Sequence, residues 1–170
     1  ERVSGSLTDH YDPRNKVLRL SDSVYSQDSL AAIGVAAHEC GHAIQHQTSY
    51  APLALRSAIV PVANFGSMLA WPIIILGVVL SYNQFLINLG IILFFTAVLF
   101  QLITLPVEFN ASKRAIARLS ETGILYGDEL YQSKKVLDAA ALTYVAAAAA
   151  TILQLLRLII LFGGGRKRDR

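Results

Sequence analysis

Between Arg56 and Glu108 the chain runs through 51 consecutive residues, 57–107, without one Asp, Glu, Lys, Arg or His. No water-soluble globule tolerates such a stretch, because a folded surface needs charged side chains at short intervals. Over the whole chain 54% of residues are hydrophobic and 16% charged, with a mean hydropathy of +0.46. A soluble domain carries about a quarter charged residues, and disorder requires low hydrophobicity with high charge. Both are excluded, and the expected class is a mainly α integral membrane protein. A bilayer-spanning helix takes about 20 apolar residues, so the block has room for two spans and a turn. The polar run Ser81-Tyr82-Asn83-Gln84 divides it into an antiparallel transmembrane hairpin, roughly 58–80 and 85–106. Pro61 and Pro72 fall within the first span, where neighbouring helices can absorb a kink.

The remaining residues flank this hairpin and suggest four segments, 1–56, 57–107, 108–127 and 128–170. In 1–56, Val3–Thr8 and Lys16–Leu20 flank the turn-forming Asp12-Pro13-Arg14-Asn15, which reads as a small N-terminal β-hairpin in water. Asp28 or Ser29 caps a helix running to about Gln47, rich in small residues. The second span continues past Pro106 into the polar, basic stretch 108–120 and stops at Thr122-Gly123. A long last helix, from Asp128 to Phe162, contains the Ala-rich 139–156 and is interrupted by Arg157. It is a third span or a helix packed on the other two. The net charge of +3 comes from the C-terminus, where Arg166-Lys167-Arg168 suits a membrane-flanking anchor. No basic patch is interleaved with aromatics, so nucleic-acid binding is unsupported. Arg56 lies on one flank of the hairpin and Lys113, Arg114 and Arg118 on the other, while the 81–84 loop has no basic residue. The positive-inside rule then puts both flanks in the cytoplasm. A spanning last helix would carry the basic tail outside, against that rule. The chain opens on Glu1 and is read as a fragment or processed product, which leaves room for a signal or anchor helix upstream. One cysteine, Cys40, excludes an intrachain disulfide.

The motif that carries chemistry is His38-Glu39-Cys40-Gly41-His42, an HExxH inside a helical stretch. Histidines four apart share one helical face a turn apart, so both imidazoles can bind one metal ion. Glu39, offset by about 100° around the helix, is placed to act as a base on a water molecule without ligating the metal. Catalytic zinc wants three protein ligands and an open position. His46 extends the same face, but His38 and His46 are about 12 Å apart along the axis. It therefore suits a supporting or surface position. Thr48 stands where a metzincin needs its third histidine, which excludes that class. Glu108, at the far edge of the uncharged block, is costly at a membrane boundary unless paired or bound to metal. The residues alone leave two readings for it, a third ligand or an interfacial carboxylate paired with Arg114.

HExxH followed, after a membrane hairpin, by Glu108-Phe109-Asn110-Ala111-Ser112 resembles the membrane gluzincins, the HtpX-type and CAAX prenyl proteases. The fuller wording, Ala-Ala-His38-Glu39-Cys40-Gly41-His42-Ala-Ile-Gln-His46 with Leu-Pro-Val-Glu108-Phe-Asn-Ala-Ser112, is closer to the YugP-like membrane zinc metallopeptidases. The resemblance covers most of the chain. It implies a zincin-like catalytic helix pair, one Zn2+ held by His38, His42 and Glu108, and Glu39 as base. It also implies a bacterial plasma membrane, with the site on the cytoplasmic side. Better-characterised gluzincins carry Asp four residues after the ligand Glu, orienting a zinc-bound histidine. Here Ser112 stands in that place; its hydroxyl can hydrogen-bond an imidazole N–H but brings no negative charge.

The expected function is therefore zinc-dependent endopeptidase action on peptides or membrane proteins. A catalytically weak zinc-binding scaffold or adaptor is the alternative. A site-2-type intramembrane protease would need HExxH inside a span and an Asp in a later one, and neither the hairpin spans nor the apolar stretch 139–156 has one. Cys40, about 200° around the helix from His38, should face away from the metal. Tyr50, Tyr126 and His10 are weak oxyanion candidates, and the Lys16–Leu20 strand is a possible template for an extended substrate.

Overall fold

Residues 1–21 are too polar to bury a core of their own, and the strands they form are held by specific side-chain bonds. The computed structural model describes residues 1–163, so the Arg166-Lys167-Arg168 anchor expected above lies outside the described residues. Three short strands, β1 (Arg2–Val3), β2 (His10–Asp12) and β3 (Val17–Ser21), form a sheet in the order β1-β3-β2. β2 runs antiparallel to β3, with Tyr11 opposite Leu18, and β1 runs parallel to it, with Arg2 opposite Leu20.

This corrects two expectations. The first hairpin arm is His10–Asp12 rather than Val3–Thr8. Gly5, at φ 110°, and Leu7, at φ 59°, turn the chain out of extended geometry. Asp9 then fastens the turned segment, accepting from the Ser21 backbone N–H at 2.8 Å and from its hydroxyl at 2.9 Å. The turn at 12–16 is as expected, closed by Asp12 accepting from the backbone N–H groups of Arg14 and Asn15 at 2.9 and 3.2 Å. Bonds from the Asn15 side chain and backbone, then from Arg19, hold the Asp12 carboxyl well below the usual range. The second correction concerns strand addition. β3 is the central strand, with neighbours on both edges, so Lys16–Leu20 has no free edge for a substrate; β2 and β1 are the edges.

Five helices follow: α1 (Asp22–Tyr25), α2 (Leu30–Gln47), α3 (Ala51–Val79), α4 (Gln84–Glu121) and α5 (Gly127–Phe162). Ser29 caps α2, its hydroxyl accepting from the Ala32 N–H at 3.2 Å. α4 continues through Pro106 without a break in its helical residues, although the missing N–H costs one helical bond. The break between α3 and α4 is made by Ser81 and Tyr82, both at positive φ. α3, α4 and α5 are each long and apolar enough to cross a membrane.

The chain divides into two compact units, one built from Glu1–Ala54 and Leu105–Tyr144, the other from Leu55–Thr104 and the segment beginning at Val145. In the second unit α3 and α4 pack through small residues, as helices do in lipid, where close backbone approach replaces the hydrophobic drive. Gly66 faces Thr96 and the Leu93 carbonyl, and Gly90 faces Ile74 and the Ala70 carbonyl. Large side chains such as Phe65, Met68, Ile75, Phe85 and Ile92 point outward, the polarity of a lipid-facing surface. Trp71 belongs to this outward set.

In the first unit α2 lies against α4 and α5 around Ala37, Ala115, Leu119, Leu125 and Leu137. Gly41 is the closest point, since a Cβ there would meet the backbone of Ala111, with its carbonyl carbon 2.9 Å away. Backbone cannot yield as a flexible side chain can. Gly41→Ala is therefore expected to force α2 and α4 apart and to destabilise the fold by about 1–3 kcal/mol, read as a lowered thermal midpoint in detergent. An unchanged midpoint would show that the helices are not locked together there.

Candidate metal centre

α2 presents His38 and His42 one turn apart, their ring centroids separated by 4.8 Å and their planes nearly perpendicular. α4 presents Glu108 to the same point. One oxygen of that carboxylate, Oε2, lies 3.2 Å from His38 Nε2 and 3.6 Å from His42 Nε2. All three ligand atoms fall within 4.8 Å of one another, a grouping that could hold a metal ion. Donors arranged tetrahedrally about zinc at their usual bond lengths sit about 3.3 Å apart, so both distances to Oε2 suit one shared ion. The Glu108 side chain is 3% exposed; a carboxylate so dry is unstable without a cation or strong donors.

The outer ring nitrogens also fit this group. His38 Nδ1 lies 3.0 Å from Ser112 Oγ, and His42 Nδ1 lies 3.0 Å from Gln45 Oε1. Partners at both Nδ1 atoms leave both Nε2 atoms for the centre, the arrangement usual for metal-binding histidines. Burial, the largest influence on His42, lowers its proton affinity, but the hydrogen bond and charge of Glu108 with help from Glu39 and Gln45 outweigh it, and its pKa is raised. Glu108 thus favours positive charge at this point.

Glu39 is buried but stands outside the three-ligand group. Burial raises its pKa most, opposed by the two histidines and by a hydrogen bond from the Tyr11 backbone N–H. That N–H lies on the free edge of β2, so the sheet touches the centre through one backbone donor. The same residue's phenol meets His46 Nδ1 at 2.9 Å. His46 is therefore joined to the β2 strand and is not part of the three-ligand group.

Cys40, half-buried, is also outside the group. His10 bonds the Thr8 carbonyl, Tyr50 lies beneath the Arg114 guanidinium, and Tyr126 is exposed. Arg114 donates to Asn110 Oδ1 at 2.8 Å. Two contributors escaped the sequence reading. Gln45 carried a faint signal, lying one turn beyond His42 on the same face. Tyr11 carried none, since its role comes from strand packing.

A family model described as "Putative neutral zinc metallopeptidase" matches residues 1–163, and the chain belongs to that family. It is 55% identical over 169 residues to the "Putative membrane protease YugP" of Bacillus subtilis (strain 168), covering 99% of this chain and 75% of that protein. No solved structure matches the chain. These likenesses support a zinc protease reading and agree with the three helices of membrane-spanning length.

Replacing Glu108 by Ala removes the one oxygen donor. Purified Glu108→Ala is expected to retain far less zinc than wild type by elemental analysis. Equal zinc in both would take Glu108 out of the ligand set.

Proposed function

We propose that the chain is a membrane-embedded, zinc-dependent endopeptidase that cuts peptide bonds in peptides or membrane proteins. The observation that carries this is the convergence of His38 Nε2, His42 Nε2 and Glu108 Oε2 within 4.8 Å, beside a buried carboxylate that is not one of the three. His38, His42 and Glu108 would hold a single zinc ion, leaving a fourth position open. Zinc bound there supplies Lewis acidity, polarising a carbonyl and bringing the pKa of water toward neutrality.

Glu39 is the base. Its burial raises its affinity for a proton, which favours taking one from attacking water and then releasing it to the leaving amine. The Tyr11 N–H steadies this carboxylate from the β2 edge, and that edge is the natural place for an extended peptide to lie. Ser112 and Gln45 orient the histidines through their Nδ1 atoms. A hydroxyl at 112, in place of the Asp of related enzymes, orients its imidazole without adding charge. The basic residues Arg56, Lys113, Arg114 and Arg118 favour a site on the cytoplasmic face of a bacterial plasma membrane.

Glu39→Gln separates chemistry from metal holding. The variant is expected to keep its zinc and lose about 10²–10⁴-fold in hydrolysis of a quenched-fluorescent peptide or casein. Undiminished cleavage would remove Glu39 as base. If wild type binds zinc yet cuts nothing while still capturing a partner, the scaffold reading replaces this one.

A further inference from the structure

Gln45 is the most completely buried polar side chain beside the centre, with no exposed surface, and every hydrogen-bonding atom it has is used. Its Nε2 donates to the Val107 carbonyl at 2.8 Å and to Asn110 Oδ1 at 3.0 Å. Its Oε1 faces His42 Nδ1 at 3.0 Å. Asn110 Oδ1 also accepts from Arg114 Nε at 2.8 Å. Amide side chains can be turned end for end, so the sense of such a network must come from groups that cannot change role. Two are present. A guanidinium only donates, so the Asn110 atom facing Arg114 is its oxygen. A backbone carbonyl only accepts, so the Gln45 atom facing Val107 is its nitrogen. Both constraints leave Gln45 Oε1 toward the ring, and His42 Nδ1 must then carry a hydrogen.

We propose that Arg114, Asn110 and Gln45 form a one-way hydrogen-bond relay that keeps the His42 ring hydrogen on Nδ1 and so turns a bare Nε2 toward the metal. The three are positioning residues and touch no ligand atom at the centre. The relay starts on α4, six residues beyond Glu108, and ends on α2. The same bonds that orient His42 therefore fix the α2 face against the turn of α4 that carries Glu108. His38 has no such constraint, because its partner Ser112 Oγ can donate or accept. The two histidines are thus held differently, one by a relay of fixed sense and one by an adaptable hydroxyl.

This inference rests on the ligand set proposed above, and zinc affinity tests both. The full-length protein in detergent would be titrated with zinc against a chromophoric chelator, with helicity followed by circular dichroism. Gln45→Met keeps size and removes the acceptor, and is expected to weaken zinc about 10–100-fold. Gln45→Glu keeps an acceptor for His42 Nδ1–H while losing both donors, and is expected to bind zinc much more tightly than the Met variant. Wild-type affinity in a folded Gln45→Met, or equal impairment in both folded variants, would overturn the relay. Should either core variant fail to fold, the half-buried Asn110 decides. Asn110→Asp keeps both acceptances and should match wild type, whereas Asn110→Leu should bind zinc measurably more weakly; identical affinities would overturn it. Absence of zinc binding by wild type would instead remove the ligand set itself.

Discussion

The first unit is organised around one desolvated carboxylate. Glu108, 2% exposed on α4, faces two imidazole nitrogens on α2. A buried carboxylate without compensation costs several kcal/mol, so the structure around it has to supply positive charge and keep supplying it in one geometry. Much of the unusual local composition follows. Gly41 lets α2 approach the α4 backbone at Ala111, beside His42 and close to Glu108. Ala37 and Ala115, one turn away on the two helices, belong to the buried cluster between them. Gln45 and Ser112 take up the outer ring nitrogens, and the inner ones face the carboxylate.

The second unit obeys a different rule. Its outward side chains are large and apolar, and its closest helix approaches place glycines against the backbone, threonine and isoleucine of the facing helix. The sequence shows the same division. The uncharged block ends at Val107, within three residues of Leu105, where α4 passes from one unit to the other. Glu108 is thus the first ionisable side chain after the apolar part of its own helix, placed by one continuous run of backbone through Pro106.

Patterns of short range were legible. Histidines four apart had to share a helical face, Asp28 or Ser29 stood ready to cap α2, and 51 uncharged residues had to form two long helices with a polar break. Features set by individual side chains across distance were not. The first arm of the hairpin was misplaced because Asp9 reaches Ser21, twelve residues on, and nothing in the local alternation announces that bond. Lys16–Leu20 reads as one possible template for an extended substrate, but strand order is a property of the sheet, and β1 pairs with β3 in parallel from a two-residue strand too short to read. Gln45 resembled any polar helical residue until α4 brought Val107 to it across 62 positions. Helical rise alone keeps His46 out of the ligand set, but its partner, the β2 phenol, could not be read from the sequence.

His38 and Glu108 are 70 residues apart in sequence. An ion shared between them would act as a removable cross-link closing that loop, and loop closure is where a tether gains most against the unfolded chain. By mass action, free metal at 100 times its dissociation constant would add about 2.7 kcal/mol of stability. The resistance of this unit to unfolding and to proteolysis would then rise and fall with the cell's free zinc. A chain that loses its ion would become easier to degrade.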